Sequence, residues 1–203
     1  MAAFNRVGPH LVVRNFFSEP IVARLLEYAE RQREAFKHST VGSEGKTGNV
    51  DPSTRVSHVF RPIKEFKPMV IERVEGLLGE INQALGGPPL APTSYEIELV
   101  AHGHGAFYAQ HIDTMTKDDD RTTLRVVSMV YYFCATPARF SGGQLRLHSL
   151  AASREAGTYV DIEPENDTAV FFPSWFPHEV LPVVCESGQF MDSRFAINCW
   201  LLK

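Results

Sequence analysis

Hydrophobic positions along this chain keep two rhythms. Up to residue 93 they recur mostly at helical spacing. In "SEPIVARLLEYAERQREAF" (18–36) Ile21, Leu25, Leu26 and Ala29 share one face. Ser18 stands where it can cap such a helix, and Pro20 is tolerated in the first turn. "KPMVIERVEGLLGEINQAL" (67–85) predicts a second amphipathic helix, closed by Gly86-Gly87 and Pro88-Pro89. A short strand is expected at "HLVVRNFF" (10–17). The stretch "STVGSEGKTGNVDPST" (39–54), rich in Gly, Ser and Thr, reads as a mobile loop.

From residue 94 the rhythm shortens. "SYEIELVA" (94–101), "LRVVSMVYYFC" (124–134), "GGQLRLH" (142–148), "GTYVDIEP" (157–164), "TAVFFP" (168–173), "HEVLPV" (178–183) and "SRFAINCWLL" (193–202) are short apolar or alternating runs between turn residues. Many short strands without long helices between them predict an antiparallel jelly roll. The expected fold is mainly β with N-terminal helices, a double-stranded β-helix core flanked by two or more α-helices. One domain is expected over 1–203. Residues 1–93 would form its helical support and residues 94–203 its jelly-roll core.

Composition narrows the function classes. With 203 residues, 44% hydrophobic and 22% charged, the chain can bury a sizeable core. A net charge of −4 provides no general basic field for nucleic acid or an anionic membrane. Cys134, Cys185 and Cys199 are odd in number and lack C-x-x-C spacing, against a disulfide framework or a structural zinc site. No run approaches the ~18 apolar residues of a membrane helix, and "MAAFNRVGPHLVVRNFF" lacks a signal-peptide core. A cytoplasmic location is expected.

The candidate chemistry begins at "FYAQHIDTM" (107–115). Side chains two apart on a strand share a face, so His111 and Asp113 can aim an imidazole and a carboxylate at one point. Alone, the pair reads more readily as an ordinary strand end. His178 in "FFPSWFPHEVLPV" supplies a third donor, and two imidazoles with one carboxylate form the facial set of non-haem Fe(II). Such an ion keeps positions open for a bidentate 2-oxo acid and O₂. A cation is then expected for the far carboxylate of 2-oxoglutarate. Arg194 fits, because a guanidinium grips a carboxylate bidentately. By alternation Arg194, Ala196, Asn198 and Trp200 share a face, with Arg194 and Asn198 toward the pocket and Trp200 below.

The ordered series "GAFYAQHID…DDDR…VSMVYYF…SGGQLRL…VDIEP…AVFFPSWFPHEVLPV…RFAINCW" resembles the 2-oxoglutarate/Fe(II) prolyl hydroxylase superfamily. Within it, the hypoxia-sensing type prolyl hydroxylases and their bacterial relatives are the branch it looks most like. The resemblance covers roughly residues 94 to 202. It implies His111, Asp113 and His178 as iron ligands, and Arg194 and Tyr132 as partners of the 2-oxoglutarate C5 carboxylate. It also implies Tyr108 near the substrate entrance, Trp200 close to the metal, and Arg55 on a loop that closes over substrate. Fe(II), 2-oxoglutarate and O₂, with ascorbate as activator, are the implied cofactors.

Two features depart from the family pattern. "VAHGHG", with Ala101 and His102, stands where a tyrosine is usual, and "CESGQFMDS" (185–193) predicts a wider hairpin loop. The implied activity is hydroxylation of a prolyl residue in a protein or peptide. A free amino acid or small natural product is the alternative within the same chemistry. A non-catalytic jelly-roll module that binds a metabolite or a protein is the alternative from another class. His102 and His104 are expected in a Gly-rich turn, His148 in a structural role, Gly142-Gly143 at a tight turn, and Asp118 to Asp120 with Arg121 in a solvated loop near the site mouth.

Overall fold

A computed structural model describes residues 6–40, 50–114, 124–150 and 157–203. In chain order the elements are β1 (Leu11–Arg14), α1 (Glu19–Arg31), β2 (Lys37–His38), β3 (Arg55–Val56), β4 (His58–Phe60), α2 (Lys67–Glu75), α3 (Leu78–Leu85), β5 (Ser94–His102), β6 (Phe107–His111) and β7 (Arg125–Phe133). There follow β8 (Ser141–Gly142), β9 (Leu145–His148), β10 (Tyr159–Ile162), β11 (Thr168–Pro173), β12 (His178–Val180), β13 (Val183–Val184) and β14 (Arg194–Leu202). A seven-stranded sheet runs β1-β11-β7-β14-β5-β4-β2. A five-stranded sheet runs β10-β9-β12-β6-β3, and β13 and β8 form a small ribbon. This is the mainly β, helix-flanked jelly roll that the alternating runs predict.

Alternation along the long strands sorts side chains to the two faces of the large sheet. Leu99, Met129, Tyr131, Phe133, Phe171, Phe195, Ile197, Cys199 and Leu201 face outward and pack under the helices, against Val22, Leu25, Val70, Val74 and Ile81. The helices thus cover one outer face, as expected. On the opposite face, antiparallel register sets Arg194 beside His102, Ala196 between Val100 and Tyr132, Asn198 between Glu98 and Val130, and Trp200 between Glu96 and Ser128. Tyr132, Val170, Phe172 and Ala196 meet Leu145, Leu147 and Ile162 of the small sheet there. The site lies in this space between the sheets.

Several local expectations change. Ser18 occupies the N-cap position of α1 but makes no side-chain cap bond; its carbonyl accepts from the Ile21 and Val22 amides instead. The predicted helix over 67–85 is two helices, because at Leu77 the amide bonds to Val74, three residues back, which tightens the turn. Short strands β2, β3 and β4 were not legible as alternating runs. The Gly-rich loop at 39–54 falls largely outside the described residues. Its described end is a turn in which Asp51 accepts from the Ser53 and Thr54 hydroxyls. Asp118 to Asp120 and Arg121 also lie outside the described residues.

Candidate active site

β6 and β12 run antiparallel, and their register pairs His111 with His178. Asp113 stands just past the end of β6 rather than within it. The Ser174 carbonyl fixes it by accepting from the Asp113 and Thr114 amides at 2.8 and 3.1 Å. The result joins the three predicted donors. One ligand atom from each of His111, Asp113 and His178 lies within 4.8 Å of the others. The Asp113 carboxylate stands 3.6 Å from His111 Nε2 and 3.4 Å from His178 Nε2.

Each imidazole is oriented by the backbone. His111 Nδ1 is 2.8 Å from the Ala109 carbonyl, and His178 Nδ1 is 2.9 Å from the Phe176 carbonyl. A carbonyl oxygen only accepts, so both Nδ1 atoms carry the proton and both Nε2 lone pairs point at the shared centre. The Tyr108 ring stacks on His111 at 3.5 Å between centroids, and Phe172 meets His178 edge-on at 4.7 Å. The Ser128 hydroxyl donates to Asp113 Oδ2 at 2.6 Å and lies 2.9 Å from the Ser174 hydroxyl.

The electrostatics suit a cation. Burial alone would raise the Asp113 carboxyl, but the facing imidazoles, His178 foremost and then His111, hold it well below the usual carboxylate range. Burial and the neighbouring His178 push His111 down, so it favours the neutral, ligating form. For His178 burial acts downward, and the attraction of Asp113 outweighs it. One carboxylate oxygen and two imidazole Nε2 atoms, with hydrogen-bonded supporting groups, match the donor set of an open Fe(II) site, and a bound cation would displace the proton that Asp113 favours on His178.

Deeper between the sheets, Arg194 is only 1% exposed. Its Nη1 is 3.1 Å from His102 Nδ1, while Nε and Nη2 have no hydrogen-bond partner among the described residues. The Tyr132 hydroxyl also has no partner among them, and the Arg194 guanidinium carbon sits 4.7 Å from the Tyr132 ring centroid. Burial pushes the Tyr132 phenol up to about 12 against the pull of Arg194, so it keeps a proton to donate. Buried polar groups are normally satisfied. Two orphaned guanidinium donors beside an orphaned phenol therefore form a cradle for a carboxylate.

The remaining predicted residues lie toward the other end of the same face. Asn198 does not point into the arginine cradle; its amide donates to Glu98 Oε1 at 3.0 Å. Glu98 is fully buried and also pairs with Arg55, at 3.4 Å, and with Arg61. Arg55 is held further by Ser57 at 3.0 Å and lies over the Tyr108 ring at 4.7 Å. It therefore adjoins the wall that carries His111. Trp200 lies under the Arg125 guanidinium, 3.9 Å from its ring centroid, and Arg125 pairs with Glu96. The structure thus brings Arg194 and Tyr132 together, and Arg55 with Tyr108, but sets Asn198 and Trp200 in separate ionic clusters.

Sequence reasoning missed Glu98, Ser128, Ser174 and the role of His102. His102 is no turn residue: it ends β5, buried against Arg194. Alternation in "EIELVAH" held the signal, since Glu96, Glu98 and His102 share one face of an apolar strand. His104 does lie in the turn, where its Nδ1 accepts from the Cys185 amide at 3.2 Å. His148 bonds Glu179 at 2.9 Å, away from the ligand trio. Gly142 and Gly143 sit not in a tight turn but at the end of β8 and just past it, both left-handed, and a Cβ on Gly143 would meet Arg194.

Two facing sheets with helices across one outer face place this molecule among the jelly-roll proteins. The sequence profile of the 2OG-Fe(II) oxygenase superfamily matches residues 97–202, just over half the chain, and the chain belongs to that superfamily. An uncharacterized PKHD-type hydroxylase of Synechocystis sp. is 30% identical over 97% of this chain, which spans 64% of that relative's length. Among solved structures, a Pseudomonas putida prolyl-4-hydroxylase superposes with a TM-score of 0.69 at 25% identity, over 97% of this chain and 94% of the other. A Trichoplax adhaerens prolyl hydroxylase, in complex with a peptide fragment of the hypoxia-inducible factor oxygen degradation domain, gives 0.68 at 22%, over 96% and 83%. The second likeness is one of fold.

Proposed function

We propose that this chain is a single-domain Fe(II)- and 2-oxoglutarate-dependent dioxygenase that hydroxylates a prolyl residue in a protein or peptide. One observation carries the reading: a cluster of three potential metal donors and a buried arginine–tyrosine cradle, with Arg194 Nε, Nη2 and the Tyr132 hydroxyl unpartnered among the described residues, lie in the same space between the sheets. Bound Fe(II) would supply the oxidative decarboxylation of 2-oxoglutarate by O₂, giving succinate and CO₂ and placing one oxygen atom on a C–H bond. His111, Asp113 and His178 would hold the ion. Arg194 and Tyr132 would orient the co-substrate by its C5 carboxylate. Leu145, Leu147, Val170 and Phe172 provide apolar walls that exclude water.

The prolyl assignment draws support from the two prolyl hydroxylase structures that share the fold, and from Tyr108 and Arg55 walling the ligand cluster. Ascorbate fits this reading as the reductant that keeps iron ferrous. The cysteines Cys134, Cys185 and Cys199 are buried and unpaired, which suits a reducing compartment such as the cytoplasm. The direct test is CO₂ release from labelled 2-oxoglutarate with Fe(II) and ascorbate. A mass-spectrometric search for products carrying one added oxygen would accompany it, over peptides from the host proteome and a panel of small molecules. Turnover that vanishes in His178→Ala and marks a peptide proline supports the proposal. Oxygen found only on a small molecule replaces the substrate assignment. Binding without any turnover favours a non-catalytic module.

A further inference from the structure

We infer that His102 is the positioning residue of the co-substrate pocket: its imidazole holds Arg194 so that two other guanidinium donors face the carboxylate. The inference rests on the reading of Arg194 given above. It starts from register, which sets His102 of β5 directly beside Arg194 of β14. Both side chains are buried. Arg194 Nη1 lies 3.1 Å from His102 Nδ1. A guanidinium only donates, so Nδ1 accepts and the ring proton resides on Nε2. Burial first, then the cations of Arg194 and Arg55, hold this imidazole well below its ordinary value of 6.5, which keeps the accepting form in place.

The hydrogen bond matters because Arg194 has little else to orient it. The donors at Nε and Nη2 are free among the described residues, and Tyr132 meets the guanidinium through its ring face. On one side Gly143 leaves room for the arginine: a Cβ there would stand 2.7 Å from Arg194 Cδ and 3.2 Å from Nε. Gly143 therefore sets where the side chain runs, and His102 sets how its planar fork is turned. A bidentate partner is sensitive to that rotation. A satisfied core histidine with no functional role would leave co-substrate affinity untouched, and this separates the two readings.

The test uses the full chain loaded anaerobically with Fe(II). Calorimetry measures 2-oxoglutarate affinity for wild type, His102→Leu and His102→Asn. Asparagine keeps an acceptor one bond beyond Cγ, where Nδ1 stands; leucine removes it. Losing a hydrogen bond to a charged group predicts about ten-fold or greater weakening in H102L, with affinity in H102N within about three-fold of wild type. In uncoupled turnover the H102L loss should fall on the KM for 2-oxoglutarate more than on kcat. H102L affinity within two-fold of wild type, or equal losses in the two folded variants, overturns the inference. Independently of any variant, ¹⁵N spectra of wild type should show His102 protonated at Nε2 only; a proton at Nδ1 overturns it even where H102L does not fold. Wild type that fails to bind 2-oxoglutarate overturns the underlying reading of Arg194 itself, an outcome distinct from the others.

Discussion

Replacing Gly143 by alanine should damage the proposed co-substrate pocket without replacing any charged group. Two costs can be read from the structure. The backbone there has φ +72°, and a Cβ in that left-handed conformation costs about 1–2 kcal/mol. The added methyl would also stand 2.7 Å from Arg194 Cδ and 2.8 Å from Val183 Cγ2. Neither is the loose end of a free side chain, because Arg194 is tied to His102. Overpacking of this kind costs about 1–3 kcal/mol, so a total destabilisation of roughly 2–5 kcal/mol is expected in urea unfolding. Relief of the clash must push the arginine off its line. Weakening one charge-assisted hydrogen bond to 2-oxoglutarate then predicts a ten-fold or greater rise in its Kd, as about 1.5–3 kcal/mol is at stake per bond. Gly188→Ala is the control. Its φ is +61° and a Cβ would meet nothing within 4 Å, so it should show the strain cost alone and unchanged affinity. If G143A binds 2-oxoglutarate as wild type does, or G188A loses as much affinity, the packing of Gly143 on Arg194 does not set the arginine's position.

Other outcomes follow from the same geometry. Ser128→Ala removes the 2.6 Å hydrogen bond to Asp113, and an anaerobic Fe(II) titration should show roughly ten- to hundred-fold weaker metal binding, as for other groups that support a ligand. Arg194→Lys keeps the charge but loses the fork, so the KM for 2-oxoglutarate should rise in the CO₂-release assay; an unchanged KM would remove Arg194 from the pocket. Glu98→Gln sets the buried Arg55 guanidinium against a neutral amide and should destabilise the fold by about 3 kcal/mol near neutral pH, measured by urea unfolding. The same variant has a pH signature. Burial would raise the Glu98 carboxyl, but Arg55, Arg61 and Asn198 together hold it below its ordinary value of 4.5. Its contribution is thus complete above about 4.5 and is lost as pH falls through the lower folded-state value. The acid limb of the stability profile should be shallower in E98Q than in wild type.

Much of this site was legible along the chain. The period of two in "SRFAINCWLL" correctly put Arg194 on one face with Ala196, Asn198 and Trp200, and Phe195 and Ile197 on the other. The order of His111, Asp113, His178 and Arg194 pointed to metal and co-substrate chemistry before any contact was known, because strand alternation and donor type are local properties. What tertiary structure decided is pairing. Glu98 on β5 looked like an unremarked acid until Arg55, Arg61 and Asn198 arrived from three other segments to neutralise and bond it. His102 looked like a turn residue until the β5–β14 register set it against a cation that stands 92 residues away in the chain. Asp113 needed a carbonyl from residue 174 to hold it past the end of its strand. Hydrophobic rhythm says which face a side chain takes, since that depends only on its own backbone. Which group it meets there depends on register between distant strands, and that is fixed only when the two sheets close on each other.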